Sequence, residues 1–377
     1  MRGLKLLLKL LFILIWATCV TVSIWYVFGH GDVTPSNLSH LAQKNSVSGS
    51  SRTCSNCGKS TSVQDQLKKR YNHGWRKQEG NLITMRSQLI SSCRGASKAI
   101  VTQANTPVGS QIEYDGEKKK PLRVTPSLFS IFSKEQPFKN FPWETCAMVG
   151  NGGILTNSSC GEEIDSAQFI IRCNLPPLGN GYTKDVGNKT NLVTANPSIL
   201  LETFKGLTER RRPFVESMSS YGNSLLLLPA FSYSSNTAAS LRALYTLQEF
   251  ESPSRPVFFN PKYLSSLARF WRARGLKANR LSTGFIMVSL ALELCTDVHL
   301  YGFWPFPSHP HGNRPLTNHY YDNQQGKKVH DMPTEFEQLL RLHERGVLRV
   351  HLGKCVSDPS AGIWISRCGT DAPGLTC

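Results

Sequence analysis

Two histidines in polar surroundings are the residues of this chain best suited to moving a proton. His330 sits in His330-Asp331-Met332-Pro333-Thr334-Glu335, ahead of a helix that Pro333 would open and Asp331 would cap. An imidazole on a loop beside a helix start titrates near neutrality and can serve as a general base, the bland alternative being a solvated surface histidine. His319 opens His319-Tyr320-Tyr321-Asp322, downstream of Gly302-Phe303-Trp304-Pro305-Phe306. Those aromatics either wall a base or sugar pocket or pack the core. Two more clusters could hold an anion. In Gly150-Asn151-Gly152-Gly153 the glycines would let backbone approach a phosphate or nucleotide, or would serve an ordinary strand–helix corner. The dinucleotide spacing G-x-G-x-x-G is not met. In Arg280-Leu281-Ser282-Thr283-Gly284, hydroxyls and amides at a helix start either cap that helix or hold an anion.

These clusters need a frame. Ala147-Met148-Val149, Phe169-Ile170-Ile171, Asn191–Thr194 and Leu225–Leu228 read as short strands. The last is apolar throughout, as for a strand buried on both faces. Phe285–Leu294 reads as a helix and Val298–Tyr301 as the strand after it. Strand–helix alternation predicts an α/β domain with a mostly parallel sheet, and ligands in such folds bind beyond the carboxyl ends of the strands.

The chain has 377 residues, 40 % of them hydrophobic and 18 % charged, enough for one large domain or two modest ones. A fibrous, low-complexity or polytopic membrane protein is disfavoured. Arg2, Lys5 and Lys9 precede an uncharged run from Leu10 to Phe28 that would rise roughly 28 Å as a helix. The run is longer than a cleaved signal core and ends in Trp25, Tyr26, Val27 and Phe28, which predicts an uncleaved signal anchor. The positive-inside rule puts everything after it on the lumenal side. Residues 1–9 then form a cytoplasmic tail, 10–28 the membrane span, 29–80 a Ser- and Lys-rich stem, and 81–377 the globular part. The net charge of +17 points to anionic lumenal substrates or glycans rather than nucleic acid. Of 11 cysteines, Cys19 falls in the span; disulfides are the default for the others in an oxidising space. Asn37, Asn157 and Asn188 head glycosylation sequons. Cys54-Ser55-Asn56-Cys57 lacks a second ligand pair, so a local or intermolecular disulfide is favoured there over zinc.

Taken in order, the clusters resemble the motifs of the sialyltransferases, glycosyltransferase family 29. Cys146–Ser198 resembles the large sialylmotif, Leu281–Phe303 the small one, His319–Asp322 the third and His330–Glu335 the very small one. Arg172-Cys173-Asn174-Leu175-Pro176-Pro177 and Tyr301-Gly302-Phe303-Trp304 resemble the α2,8 branch, and Tyr114-Asp115-Gly116-Glu117 with the whole large motif resembles its ganglioside and mono- or oligosialylating members. The resemblance implies a variant of the GT-A type, Rossmann-like nucleotide-sugar transferase fold in the Golgi membrane. It implies inverting transfer of sialic acid from CMP-sialic acid to a sialylated glycolipid (a ganglioside) or glycoprotein, with oligo- or polysialylation of O- or N-linked glycans as the alternative acceptor class. By position His330 would be the base and His319 would stabilise the departing phosphate. Asn151, Asn174, Ser282, Thr283 and Gly284 would hold CMP, with Trp304 lining the same pocket. The resemblance also implies disulfides Cys146–Cys295 and Cys160–Cys355, leaving Cys173 a buried thiol. Cys54, Cys57, Cys93, Cys368 and Cys377 stay unassigned and leave room for a homodimer. No Asp-x-Asp occurs in the chain, so metal-independent transfer without a cofactor is expected. A catalytically silent glycan-binding protein is the remaining alternative.

Overall fold

A computed structural model describes Trp16, Thr18 and residues 63–138, 141–278, 280–312, 314–324 and 330–355. The chain divides into Met1–Lys59 and Ser60–Cys377, and the second unit carries the fold. A small antiparallel pair, β1 (Gln111–Ile112) and β2 (Leu122–Arg123), precedes the main sheet. The main sheet comprises β3 (Trp143–Val149), β4 (Phe169–Arg172), β5 (Leu192–Thr194), β6 (Leu225–Leu228), β7 (Arg255–Phe258), β8 (Cys295–Tyr301) and β9 (Arg349–His351). Its order is β7-β6-β5-β4-β3-β8-β9, and every neighbouring pair is parallel. The expected α/β architecture with a mostly parallel sheet is therefore what the chain adopts.

Alternation along the strands divides the core in two. Cys146, Met148, Leu225 and Leu227 join one cluster; Ala147, Val149, Leu226 and Leu228 join the other. Both faces are covered, which is why these strands read as unbroken apolar runs. The helices include α1 (Val63–Tyr71), α2 (Glu79–Ser92), α3 (Gly161–Ser166), α4 (Ser234–Glu249), α5 (Pro261–Arg272), α6 (Thr283–Leu294) and α7 (Met332–Glu344). Helix α6 is buried from Phe285 to Leu294 except at Ile286, so its apolar side chains are sandwiched rather than arranged as a stripe.

Two edge strands escaped the sequence reading. Strand β7 contains Pro256, which cannot donate to a ladder and is tolerated because β7 lies at the sheet edge. Strand β9 has only three residues at the opposite edge. The expected stem boundary at residue 80 also falls inside the compact unit. Leu67 of α1 is buried, the Tyr71 hydroxyl donates to the Val350 carbonyl, the Trp75 indole donates to that of Leu348, and Arg70 forks onto Glu344. Polar composition misled because α1 needs only a narrow apolar face.

Cys146 is bonded to Cys295 and Cys160 to Cys355, while Cys93 and Cys173 are free and buried. Cys295 starts β8, directly after α6, so the first bond ties β3 to the α6–β8 junction. The second closes the end of the described chain onto the loop before α3. Asn157 and Asn188 are exposed. Asn37, Cys54, Cys57, Cys368, Cys377 and, apart from Trp16 and Thr18, the apolar span lie outside the described residues. Among the described residues no helix is long and apolar enough to cross a membrane.

Candidate active site

The chain starts its main sheet at β3, builds outward to β7, then returns to place β8 on the other side of β3. Such a reversal opens a crevice at the carboxyl ends of the strands. A cleft of about 2270 Å³ occupies that edge. Residues following six successive strands line it: Gly150 after β3, Cys173 after β4, Asn196 beyond β5, Pro229 after β6, Phe259 after β7 and Gly302 after β8.

The loop after β3 carries Asn151. Its Nδ2 donates to the Cys173 carbonyl at 2.8 Å, and Oδ1 is buried without a hydrogen-bond partner among the described residues. A buried acceptor left unmade costs about 1–3 kcal/mol, so this oxygen calls for a ligand hydroxyl or amine rather than a bare phosphate. The glycines around it do different work from that expected. A Cβ on Gly150 or Gly152 would lie 2.8 or 2.6 Å from the Gly302 carbonyl oxygen, and one on Gly153 would strike the Thr317 backbone. They let the β3 and β8 loops touch each other. Backbone approach to a phosphate is not what demands them.

Asn174 has φ of 64°, a left-handed conformation that asparagine tolerates better than most residues. Its backbone N–H donates to Thr194 Oγ1 at 3.0 Å, and the same hydroxyl donates to its Oδ1 at 3.3 Å. The Pro176 and Pro177 carbonyls are pinned by the Tyr221 and Tyr320 hydroxyls. The Arg172–Pro177 run is thus a braced turn at the end of β4.

At the start of α6, Ser282 Oγ accepts from the Phe285 N–H at 3.2 Å and Thr283 Oγ1 donates to Asn196 Oδ1 at 2.9 Å. Both hydroxyls are engaged, one in the helix cap and one on Asn196. The first-turn amides of Thr283 and Gly284, which have no carbonyl four residues back within the helix, are what remain for an anion. Gly284 makes room for Phe303, whose ring would lie 3.0 Å from a Cβ there. Asn196 escaped the sequence reading because no short motif marks a residue that ties the β5 loop to α6.

His330 Nδ1 lies 3.0 Å from the Arg280 carbonyl oxygen, two residues before Ser282. A carbonyl only accepts, so that bond assigns the proton to Nδ1 and leaves Nε2 as the basic nitrogen. Asp331 caps α7, accepting from the Thr334 N–H at 3.3 Å. Glu335, only 2 % exposed, accepts from the Ser282 N–H at 2.7 Å and so locks α7 to the start of α6. Burial pushes its carboxyl up to about 7, against the pull of the Ser282 hydrogen bonds.

His319 lines the same cleft. Its Nδ1 is 2.7 Å from Asp322 Oδ1, and its ring stacks on Tyr321. Gly152 bridges to His319, and the Tyr320 N–H donates to the Asn151 carbonyl at 2.9 Å, so this segment is built onto the β3 loop. Trp304 borders the cleft with a ring buried against Phe306 and Phe336 and an indole N–H donated to the Ser308 carbonyl. It supports the wall; Phe303 is the more exposed aromatic.

Among the described residues, one group of side chains could hold a metal ion: Glu163, His299 and His351. They lie on α3, β8 and β9, none of them among the residues lining the cleft, and their polar atoms face one another and Tyr301.

The pattern of glycosyltransferase family 29 (sialyltransferase) matches residues 100–347. The chain is 47 % identical to the alpha-2,8-sialyltransferase 8F of Mus musculus over 74 % of this chain and 71 % of that protein. It is 45 % identical to the alpha-N-acetylneuraminide alpha-2,8-sialyltransferase of Xenopus tropicalis over 78 % and 84 % of the two. A crystal structure of a mammalian sialyltransferase in complex with Gal-beta-1-3GalNAc-ortho-nitrophenol aligns over 77 % of this chain and 86 % of that one, with a TM-score of 0.42 and 20 % identity.

Proposed function

The chain belongs to glycosyltransferase family 29, the sialyltransferases, and from that premise we propose that it is an inverting α2,8-sialyltransferase. The donor is CMP-sialic acid. The acceptor is a glycan ending in sialic acid, on a glycolipid such as a ganglioside or on a glycoprotein. The relatives' names support the linkage. One observation carries the mechanism: His330, His319 and Asn151 all line one cleft at the reversal point of the sheet.

In that cleft the acceptor hydroxyl oxygen attacks the anomeric carbon of the donor. The bond from that carbon to the phosphate oxygen breaks, and its electron pair leaves with CMP. His330 Nε2 takes the hydroxyl proton as the new bond forms. Negative charge grows on the departing phosphate, where the His319 imidazole and the amides of Thr283 and Gly284 stabilise it. Asn151 Oδ1 accepts from a hydroxyl or the amine of the cytidine, and the braced Asn174 turn completes the nucleotide's side of the cleft. The leaving group is already a good one, so orientation and charge stabilisation suffice. Family 29 enzymes use this donor and need no metal cofactor.

The parallel sheet reversing between β3 and β8 supports a Rossmann-like, GT-A-variant fold. The N-terminal cations and the run Leu10–Phe28 support a single-pass Golgi anchor with a lumenal catalytic domain. The exposed Asn157 and Asn188 suit glycosylation there. Incubating the purified chain with labelled CMP-sialic acid and paired sialylated and asialo acceptors tests the reading. Label should enter only sialylated acceptors and be released by an α2,8-cleaving sialidase. Equal labelling of the asialo partners overturns it.

A further inference from the structure

Arg280 does two separate things. Its backbone carbonyl holds His330. Its guanidinium leaves in another direction and stacks over the Tyr233 ring, 4.9 Å from the centroid. Arg280 is half-buried, lines the cleft, and makes no hydrogen bond or ion pair from its side chain among the described residues. Five N–H donors on a planar cation thus face a substrate-sized space without a protein acceptor. Tyr233 is itself held in place. The Gly116 N–H donates to the Ser232 carbonyl at 2.9 Å, a Cβ on Gly116 would strike the Tyr233 ring, and Glu117 accepts from the Ser234 N–H. Asp115, on the same lip, is the nearby carboxylate, close enough to feel the Arg280 charge without pairing with it. This is a fixed cation-and-aromatic platform of the kind that recognises a carboxylate on a sugar.

Its position says which carboxylate. Asn151 follows β3, whereas Tyr233 follows β6, three strands along the sheet. At a spacing of about 4.8 Å per strand, the two loops stand roughly 14 Å apart. The nucleotide side of the cleft lies toward β3, and the platform lies toward β6, past the carbonyl that holds the proposed base. We propose that Arg280, stacked on Tyr233, recognises the carboxylate of the acceptor's terminal sialic acid and so selects sialylated acceptors. The inference rests on the acceptor reading above. The attacking hydroxyl and the carboxylate belong to one sugar residue, so a single residue's backbone and side chain would align nucleophile and anion together.

The donor also carries a carboxylate, and the test separates the two. Rates are measured for the wild type, Arg280→Gln and Arg280→Lys on a sialylated acceptor and on the same acceptor with its terminal carboxyl methylated. Thermal unfolding reports whether each variant is folded. A charge-assisted pair of about 1.5–3 kcal/mol corresponds to about 10- to 100-fold, so the wild type should prefer the free acid over the ester by that factor. Arg280→Gln should lose this preference through a raised acceptor KM, with donor KM within about twofold, and Arg280→Lys should recover part of it. The acid-to-ester ratio is internal to each variant, so a general loss of activity does not obscure it. A Gln variant that keeps the wild-type ratio, or whose defect falls on donor KM, overturns the inference. A wild type inactive on every sialylated acceptor overturns the acceptor reading instead.

Discussion

At the scale of single residues, what distinguishes the two cleft histidines is what holds each ring. His330 is anchored through Nδ1 to a carbonyl, which makes Nε2 a neutral base. His319 is anchored through Nδ1 to a carboxylate, which fixes the orientation of its ring at the cleft. His330→Ala should lower kcat by about 10²–10⁴-fold with donor KM nearly unchanged. Initial rates under saturating acceptor measure this, and a variant keeping more than about a tenth of kcat would remove His330 from the role. In the proposed mechanism Asp322 orients His319 rather than reacting. The orienting carboxylate of a Ser-His-Asp triad can be worth about 10⁴-fold, so Asp322→Asn should cost about 10-fold or more in kcat with donor KM within about twofold. An unchanged kcat would make Asp322 merely structural. The histidines and Asn151 were legible as sequence because each sits in a short polar run beside an element end. Arg280, Asn196 and Glu335 were not legible in their roles, because each acts on a partner far away in the sequence, on another loop or helix.

The elements matter here chiefly at their ends. The Ser282 turn is held on three sides: by its own cap on Phe285, by Asn196 through Thr283, and by Glu335 of α7. Protonation enters through Glu335. Its folded carboxyl is raised from 4.5 to about 7 by burial, so between those values the folded chain keeps a proton that the unfolded chain has lost. Folding is then coupled to proton uptake, and this residue's contribution falls as pH rises through the window, by up to about 1.4 kcal/mol per pH unit. Glu335→Gln keeps an acceptor for the Ser282 N–H and removes the titration. Its melting temperature should therefore gain on the wild type as pH goes from 5 to 8. Parallel melting curves at pH 5, 6.5 and 8 would contradict the burial of this carboxyl. Gly302 is the other end that admits no substitute. Its φ is +76° and a Cβ would lie 2.7 Å from the Gly150 carbonyl oxygen, so the β3 and β8 loops meet only through glycine.

The whole molecule is closed by contacts remote in sequence. Cys146–Cys295 spans 149 residues and Cys160–Cys355 spans 195. Long loops of this kind lose much of their unfolded-state freedom when bridged. The segment before residue 81 belongs to this closure through α1 and Trp75. A chain beginning at Ser60 should therefore melt at a higher temperature than one beginning at residue 81, since the latter exposes the surface that Leu67, Tyr71 and Trp75 cover on α7 and β9. Equal melting temperatures of the two truncated chains would restore residue 80 as the effective boundary.

Local pattern determined a good deal by itself. Apolar runs marked the central strands and the buried helix α6, because a strand or helix covered on all sides needs apolar residues without interruption. Pro333 and Asp331 marked the start of α7, because capping is a matter between near neighbours. The order of polar clusters marked the family. Edge strands, the packed α1 and the meaning of the glycines were decided only in three dimensions. An edge strand is permitted by what is missing beside it, a docked helix by the surface it lands on, and a glycine by the atom that would collide with its Cβ. None of those three is a property of neighbouring residues. The same holds for the cleft: which of the polar groups converge was settled by the reversal of the sheet between β3 and β8, and that reversal is written in long-range strand pairing rather than in any motif.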